Sequence, residues 1–406
     1  MNNSLKDNFF NIKGRELKLP FNVNIKSKEQ TYQVTATKLF KIAPNKRIVC
    51  SGKWGEERIV MKFFLGSVKA NHYFNKEFKG LKALKRSGIR TPEIVFHGIA
   101  ENTNIKVIAT KEISPASDMM SVWNNNKEDS VYAELQKQIV QKIAVLHNAG
   151  IKQNDIHLGN FLISNNRIYT IDGDGVDVKR KGKPLPEEIG LRNLSILFGQ
   201  FYPRLDKIAK SSLEYYTELR GLKPDPKRFI IFLSKVKKVR AVKLKKYLKK
   251  IFRECSEFVH KKEWNKEFSC DRKAYNSGLQ KFIDNPNIFI EKGKIIKTTE
   301  NDCITQIDID NTIYIVKSYH IKGRSIFSER CLKKTRARIS WYNAHLLKQL
   351  GIQSLYPICY MEKRFGPFCT NAFFIAKDIQ KTEENNYSKL FNKLENKELD
   401  PEQGDF

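Results

Sequence analysis

From Thr31 to Ile42 β-branched residues recur as they do along a strand, and the basic turn Ala43-Pro44-Asn45-Lys46-Arg47 follows. Ile48-Val49-Cys50 resumes the apolar pattern, Gly52-Lys53-Trp54-Gly55 breaks it again, and Arg58-Ile59-Val60-Met61-Lys62-Phe63-Phe64 forms a third run. Three strands joined by two turns predict a β-meander. From His72 to Ser87 the spacing changes to that of a helix, with Phe74, Phe78, Leu81 and Leu84 on one face and Gly88 placed to end it. Pro92–Gly98 and Lys106–Ile113 read as two more strands, and Val131–Ala149 as a long helix (Leu135, Ile139, Ile143, Leu146) closed by Gly150. A further helix is expected over Leu191–Phe198. Residues 1–30 read as a polar lead-in and 259–304 as a linker region.

One position breaks the apolar pattern of the third strand. Lys62 sits between Met61 and Phe63, and a lysine drawn into a core needs an anionic partner. Glu77, on the helix that follows, is the expected partner. Taken alone, each residue is an ordinary surface charge. The pair gains meaning from the stretch Gln153-Asn154-Asp155-Ile156-His157-Leu158-Gly159-Asn160, where an Asn follows an Asp by five positions. Such a pair alone is a polar turn. Here it is followed by Phe161-Leu162-Ile163, an Asn165-Asn166 turn, Ile168-Tyr169-Thr170-Ile171 and then Asp172-Gly173-Asp174, which supplies a hairpin to bring Asn160 and Asp172 together. This is the arrangement of a kinase catalytic loop and its metal-binding carboxylate. On this reading Asp155 is the base, Asn160 and Asp172 (with Asp174 as a second candidate) bind Mg²⁺, and Lys62 braced by Glu77 grips the nucleotide phosphates of ATP. The backbone near Glu112 is placed to meet the adenine ring. Lys46 and Arg47 stand in the turn where a glycine-rich loop would lie, able to cover phosphate by charge or to remain solvated.

Charge and cysteine content change the picture in two ways. Across 406 residues, 74 Lys and Arg against 44 Asp and Glu give a formal charge of +30, which favours phosphate-bearing or anionic partners unless it reflects a Lys-rich composition alone. The seven cysteines are scattered, with no C-x-x-C pair, and fit a reduced compartment. No run approaches the roughly 20 apolar residues that span a bilayer, and the N-terminal residues lack a signal-peptide core, so a soluble or peripheral protein is expected. Between Lys235 and Arg253 ten of nineteen residues are basic, interleaved with Val236, Val239, Leu244, Tyr247, Leu248 and Ile251 at near-helical spacing. That is a basic amphipathic helix: either an inward-packed lobe helix with solvated charges or a surface for an anionic membrane, with nucleic acid a weaker third option.

A weak internal repeat follows. Asn311–Lys317 echoes the strand ending at Lys62, His345–Ile352 echoes Leu81–Ile89, and Phe374–Ile379 echoes Ile108–Ile113. Ser340 takes the position of Glu77, and no second catalytic loop follows. The tail from Lys381 is polar and is expected to be mobile.

Together these residues make the chain resemble the bacterial lipopolysaccharide core kinases, the Kdo and heptose kinases. The marks are Val60-Met61-Lys62, Glu77 ahead of Gly88-Ile89-Arg90-Thr91-Pro92, Leu146-His147-Asn148-Ala149-Gly150, Asp155–Leu162, Ile171–Gly175 and, more weakly, Arg336–Trp341. The resemblance implies an α+β, bilobal protein-kinase-like fold. An N-lobe over 31–113 and a C-lobe over 114–258 are expected, followed at 305–380 by a truncated second N-lobe-like repeat. It also implies ATP- and Mg²⁺-dependent phosphorylation of a Kdo or heptose hydroxyl of the inner core, at the cytoplasmic face of the inner membrane. The chain departs from eukaryotic-type kinases in three places. Gln153-Asn154 stands where His-Arg precedes the base, Asp172-Gly173-Asp174 replaces Asp-Phe-Gly, and no G-x-G-x-x-G is present. An atypical protein or small-molecule kinase and a pseudokinase scaffold are the alternative readings.

Overall fold

Alternating burial is what allows the first sheet to close on itself. The computed structural model describes residues 17–28, 30–66, 68–126, 128–320, 334–352, 354–366 and 368–377. The chain divides into two compact units, 1–201 with 205–236, and 202–204 with 237–406. In the first, β1 (Phe21–Lys26), β2 (Thr31–Ala43), β3 (Arg47–Trp54), β4 (Glu57–Phe64), β5 (Ile94–Ala100) and β6 (Lys106–Lys111) form a closed barrel in the order β1-β2-β3-β4-β6-β5. Val23, Ile25, Val34, Ile48, Met61 and Phe63 fill its interior. Because side chains alternate along a strand, Lys62 faces the other way, toward the helix α1 (Val68–Arg86) that joins β4 to β5. There Phe74 and Leu81 pack with Phe64 and Ile108.

The lead-in expected over 1–30 is corrected for its last part. Phe21–Lys26 is a strand that pairs with both β2 and β5 and closes the barrel. Asn22, Asn24 and Lys26 alternate with the buried Val23 and Ile25, a pattern too short to stand out among polar neighbours. Residues 1–16 lie outside the described ones.

The rest of this unit is mainly helical: β7 (Ser117–Asp118), α2 (Met119–Asn125), α3 (Asp129–Asn148), β8 (Ile151–Gln153), β9 (Phe161–Ser164), β10 (Arg167–Thr170), β11 (Val176–Val178), α4 (Glu187–Phe198), α5 (Asp206–Leu219) and α6 (Arg228–Lys250). The β9–β10 hairpin turns on Asn165 and Asn166, both left-handed at φ 48° and 57°, a conformation asparagine tolerates. Leu135, Ile139, Ile143 and Leu146 form the buried face of α3, and Gly150, at φ 75°, turns the chain out of it into β8. At the end of α3 lies a fully buried polar chain. Asn193 Nδ2 donates to the Gln153 carbonyl (2.8 Å), which turns Asn193 Oδ1 toward His147 Nε2 (3.1 Å). His147 Nδ1 then accepts from the Tyr216 hydroxyl (2.7 Å), which accepts in turn from Arg220 Nη1 (2.7 Å).

The second unit corrects the expected domain plan. The boundary expected at 258 falls after Val236, because Leu244, Leu248 and Ile251 of α6 join a core with Phe258, Trp341 and Phe374. The stretch 259–304 is not a linker. With β12 (Phe258–Lys262), β13 (Lys266–Asp271), α7 (Ser277–Asp284), α8 (Pro286–Glu291), β14 (Lys294–Thr298) and β15 (Asp302–Ile309), it contributes to four strands of a seven-stranded antiparallel sheet. β16 (Thr312–His320), α9 (Arg336–Leu350), β17 (Tyr356–Phe365) and β18 (Phe368–Lys377) complete it in the order β12-β13-β17-β18-β16-β15-β14. The run β14-β15-β16-β18-β17 has the same order as β2-β3-β4-β6-β5, with a helix after the third strand in each. Lys62 pairs across to Ile108 and Lys317 to Phe374, matching the sequence echo. β13 occupies the edge beside β17 that β1 holds beside β5, so this sheet is extended rather than closed. Asp378 and Ile379 of the echo, and the tail expected to be mobile, lie outside the described residues. Among the described residues, no helix is long and apolar enough to cross a membrane.

Burial pushes His147 down to about 4 from 6.5, opposed by the Asn193 hydrogen bond and reinforced by Arg220. Between those values the unfolded chain binds a proton that the folded chain does not. Stability therefore falls as pH drops from 6.5 toward 4, by about 1.4 kcal/mol per unit from this group. In denaturant titrations over this range, His147→Gln is expected to be less stable than wild type at neutral pH and to show a shallower loss on acidification. An unchanged slope contradicts the assignment.

Candidate active site

The site grows out of the burial problem on β4. Lys62 Nζ donates to Glu77 Oε1 at 2.5 Å and to the Ile171 carbonyl at 3.1 Å, and lies 3.4 Å from Asp172 Oδ1. The Glu77 carboxyl is fully enclosed and makes a second contact, accepting the backbone N–H of Asp174 at 3.0 Å. One carboxylate thus orients the lysine and fastens the Asp172-Gly173-Asp174 turn to α1. Deleting either partner of such a pair strands a buried charge, at a cost of about 3–5 kcal/mol.

Two glycines permit this approach. A Cβ on Gly80 of α1 would lie 1.9 Å from the Gly173 carbonyl oxygen, and one on Gly173 would lie 2.4 Å from the Glu77 carbonyl oxygen. Helix and turn touch backbone to backbone, which explains why glycine stands between the two aspartates. Gln153 secures the same turn from the other side, its Nε2 donating to the Asp172 carbonyl at 3.2 Å. Through Gln153 the polar chain of His147 and Asn193 reaches the turn. Gly80, Gln153, Asn193 and the supporting role of His147 were not singled out from sequence. A glycine inside an amphipathic helix was the one available signal, since it costs helix stability of roughly 0.5–1 kcal/mol unless close packing requires it.

Glu77, Asp172 and Asp174 offer carboxylate oxygens that all lie within 4.8 Å of one another, a hard-oxygen set suited to a divalent cation such as Mg²⁺. Arg47, at the start of β3, reaches the same place, with Nη1 3.4 Å from Asp174 Oδ2 and 3.8 Å from Asp172 Oδ1. Burial would lower Lys62, but Glu77 and Asp172 outweigh it and hold the ammonium above its ordinary range. Burial raises Glu77 to about 7 against the pull of Lys62, with the neighbouring Asp172 adding to the rise. For Asp172 the desolvation is overcome by Lys62, by the Glu77 contact and by Arg47, so its carboxyl is held well below the usual range and stays ionised.

Asn160 is buried in a short turn of 3-10 helix over Leu158–Asn160, and its Nδ2 donates to the Asp155 carbonyl at 2.8 Å. Its donor is spent on the loop, so its oxygen is what it can offer a cation. Its carbonyl also accepts from Ile171 N at 3.0 Å, joining the loop to the residue before Asp172. The Asp155 carboxylate is largely exposed, 3.8 Å from His157 Nε2, as a group meeting a substrate from solution would be. Two expected nucleotide contacts stand apart from this cluster. Lys46 Nζ lies 4.3 Å over the Tyr73 ring rather than beside Arg47, because the aromatic face attracts the ammonium. Glu112, half-buried past the end of β6, uses its N–H on the Arg58 carbonyl at 3.0 Å.

Residues 62–180 match the family model of the lipopolysaccharide kinase (Kdo/WaaP) family. The chain is 24% identical over 188 residues to the lipopolysaccharide core heptose(II) kinase WaaY of Escherichia coli (strain K12), covering 42% of this chain and 78% of that protein. Among solved structures, the PknI kinase domain of Mycobacterium tuberculosis aligns with 47% of this chain and 74% of its own at 12% identity and a TM-score of 0.29. Spectinomycin phosphotransferase APH(9)-Ia, in complex with ADP and spectinomycin, aligns with 54% and 90% at 15% identity and a TM-score of 0.33. The expected likeness to lipopolysaccharide kinases is thereby shown, with residues 62–180 as the matching segment of the family model.

Gly80→Ala is expected to push α1 off the turn, lowering affinity for a non-hydrolysable ATP analogue about tenfold, in keeping with an overpacking cost of roughly 1–3 kcal/mol. Calorimetric titration measures this. Lys76→Ala, on the exposed face of the same helix, is expected to bind as wild type.

Proposed function

We propose that the first unit is an ATP-dependent kinase that phosphorylates a Kdo or heptose hydroxyl of the lipopolysaccharide inner core. The observation that carries this reading is the convergence of Lys62, Glu77 and Asp172 beside the Asp155–Asn160 loop, within the segment that matches the lipopolysaccharide kinase family. The similarity to a heptose kinase supports a sugar hydroxyl as the acceptor.

In the reaction the acceptor oxygen forms a bond to the γ-phosphorus as the bond from that phosphorus to the β,γ-bridging oxygen of ATP breaks. The acceptor proton passes to the exposed Asp155 carboxylate, and ADP leaves with the bridging oxygen. Lys62, fixed by Glu77, pairs with the nucleotide phosphates. Arg47 takes the position a glycine-rich loop would fill, opposing phosphate with charge; Lys46 is a weaker candidate for the same task. The chain near Glu112 borders the adenine. Asn160, Asp172 and Asp174 would hold Mg²⁺, which supplies charge neutralisation across the phosphates when bound. The hydrogen bonds from Gln153 and Asn160 keep the base and the metal-binding carboxylates in register.

The second unit is read as a degenerate N-lobe-like repeat. Its strand order and the buried Lys317 support this, while Ser340 stands where the first copy has Glu77. Lys317 lies 3.3 Å from Asp302, and this unit's role is read as packing or substrate shaping. On α6, Lys237, Lys238, Lys245, Lys246 and Lys249 are exposed while Leu244 and Leu248 are buried, which supports contact with the anionic inner face of the inner membrane.

Asp155→Asn is expected to lower phosphate transfer at least about a hundredfold, the contribution of a general base, while nucleotide binding persists. The test is the core-oligosaccharide phosphate content of cells whose only copy carries the substitution. Unchanged phosphate, with turnover on another acceptor, would assign a different kinase substrate. Nucleotide binding without transfer in either form would assign a scaffold.

A further inference from the structure

Three large aromatic side chains lie together at one end of the second unit's sheet. Trp264 sits in the β12–β13 turn and is 66% exposed, and Phe365 and Phe368, which flank the β17–β18 turn, are 63% and 36% exposed. The turns are neighbours because β13 pairs with β17, with Lys266 opposite Lys363, and because Arg364 N donates to the Asn265 carbonyl at 2.8 Å. The Trp264 and Phe365 rings meet edge to face, with centroids 4.8 Å apart. Neither turn has a core to serve. The apolar sets on the two faces of the sheet are composed of other residues.

Stabilising two hairpin tips does not require leaving three rings in water. A solvated turn would carry polar residues, and a flat protein interface would place its rings along a face rather than at a projecting end. Trp and Phe at the tip of a rigid support, backed by Lys261, Lys262, Lys266, Lys363 and Arg364, match the chemistry of a bilayer's interfacial zone. There the ring bodies enter the acyl boundary and the long cationic side chains remain at headgroup level. The nearby acids are largely engaged. Glu362 pairs with Arg364, Asp284 takes Lys266 at 2.8 Å, and Glu263 lies 3.7 Å from the same lysine. The same unit carries the exposed lysines of α6, and the whole chain is at +30, so charge complementarity selects an anionic surface.

We infer that the Trp264, Phe365 and Phe368 tip is a membrane foot that inserts into the interfacial layer of an anionic lipid bilayer. This extends the membrane part of the proposed function to a second element and does not depend on phosphoryl transfer.

The test uses the full chain with vesicles of phosphatidylcholine and phosphatidylglycerol, some carrying brominated acyl chains. Binding should shift tryptophan emission to the blue and let bromine quench it. Both effects should vanish in Trp264→Phe, which still binds, because Trp123 and Trp341 are buried and the half-buried Trp54 packs against Tyr32 and Phe96 of the barrel. The pair Trp264→Ser with Phe365→Ser should lose about tenfold in vesicle partitioning while binding nucleotide as wild type. Replacing Lys245, Lys246, Lys249 and Lys250 by Gln tests α6 separately; it should weaken binding to anionic vesicles yet leave quenching in the bound fraction. Equal quenching of wild type and Trp264→Phe would overturn the inference, as would unaltered partitioning of the double serine variant. So would the absence of vesicle binding, or self-association that the double serine variant abolishes, which would make the patch a protein interface.

Discussion

A lysine committed to the middle of an apolar strand is the constraint on which the first unit turns. Lys62 cannot leave the α1 side of β4 without reversing the alternation that puts Met61 and Phe63 inside the barrel. Its ammonium must therefore find anions on the α1 side, and two elements supply them: Glu77 from the helix and Asp172 from the turn after β10. Satisfying one buried cation pulls together three parts of the chain that are distant in sequence. That assembled group is also what phosphoryl transfer requires, a fixed cation beside a carboxylate, Asp172, that it helps to hold ionised.

The backbone makes this convergence possible. Gly80 and Gly173 remove the side chains that would separate α1 from the turn, and the carboxylate of Glu77 then fills its remaining capacity with the N–H of Asp174. Support from the other side comes through hydrogen bonds from Tyr216, His147, Asn193 and Gln153, each fixing the donor or acceptor sense of the next. Asp155 is the exception, its carboxylate open to solvent while its own carbonyl is held by Asn160. On the proposed reading, the rigid groups serve the nucleotide and the open one serves the acceptor.

Much of this was legible in the chain because it rests on period and spacing. The meander, α1, α3 and the Asn165-Asn166 hairpin follow from alternation, helical repeat and turn chemistry, and the Asp155, Asn160 and Asp172 order follows from the hairpin between them. Features that depend on tertiary contact were less visible. β1 is only six residues long and half polar, and its meaning lies in pairing with β5, some seventy positions away. Between 259 and 304, β12 pairs with β13 and β14 with β15 as local hairpins, but β13 joins the sheet only through β17, some ninety positions beyond it, so a local reading makes the stretch a linker. Lys46 was grouped with Arg47 by adjacency, yet it stands in the turn before β3, where its ammonium lies over the Tyr73 ring. Gln153 looked like a departure from the usual motif and is instead a brace for the Asp172 carbonyl.

The central claim is that Lys62 and Glu77 act on nucleotide as one unit rather than as two independent charges. A double-mutant cycle on ATP-analogue affinity in the presence of Mg²⁺, using Lys62→Met, Glu77→Gln and the pair, measures that coupling directly. Each single change is predicted to weaken binding by about tenfold or more, and the double variant to be no weaker than the worse single one. Losses that simply add, or a Glu77→Gln variant that binds as wild type, would contradict it.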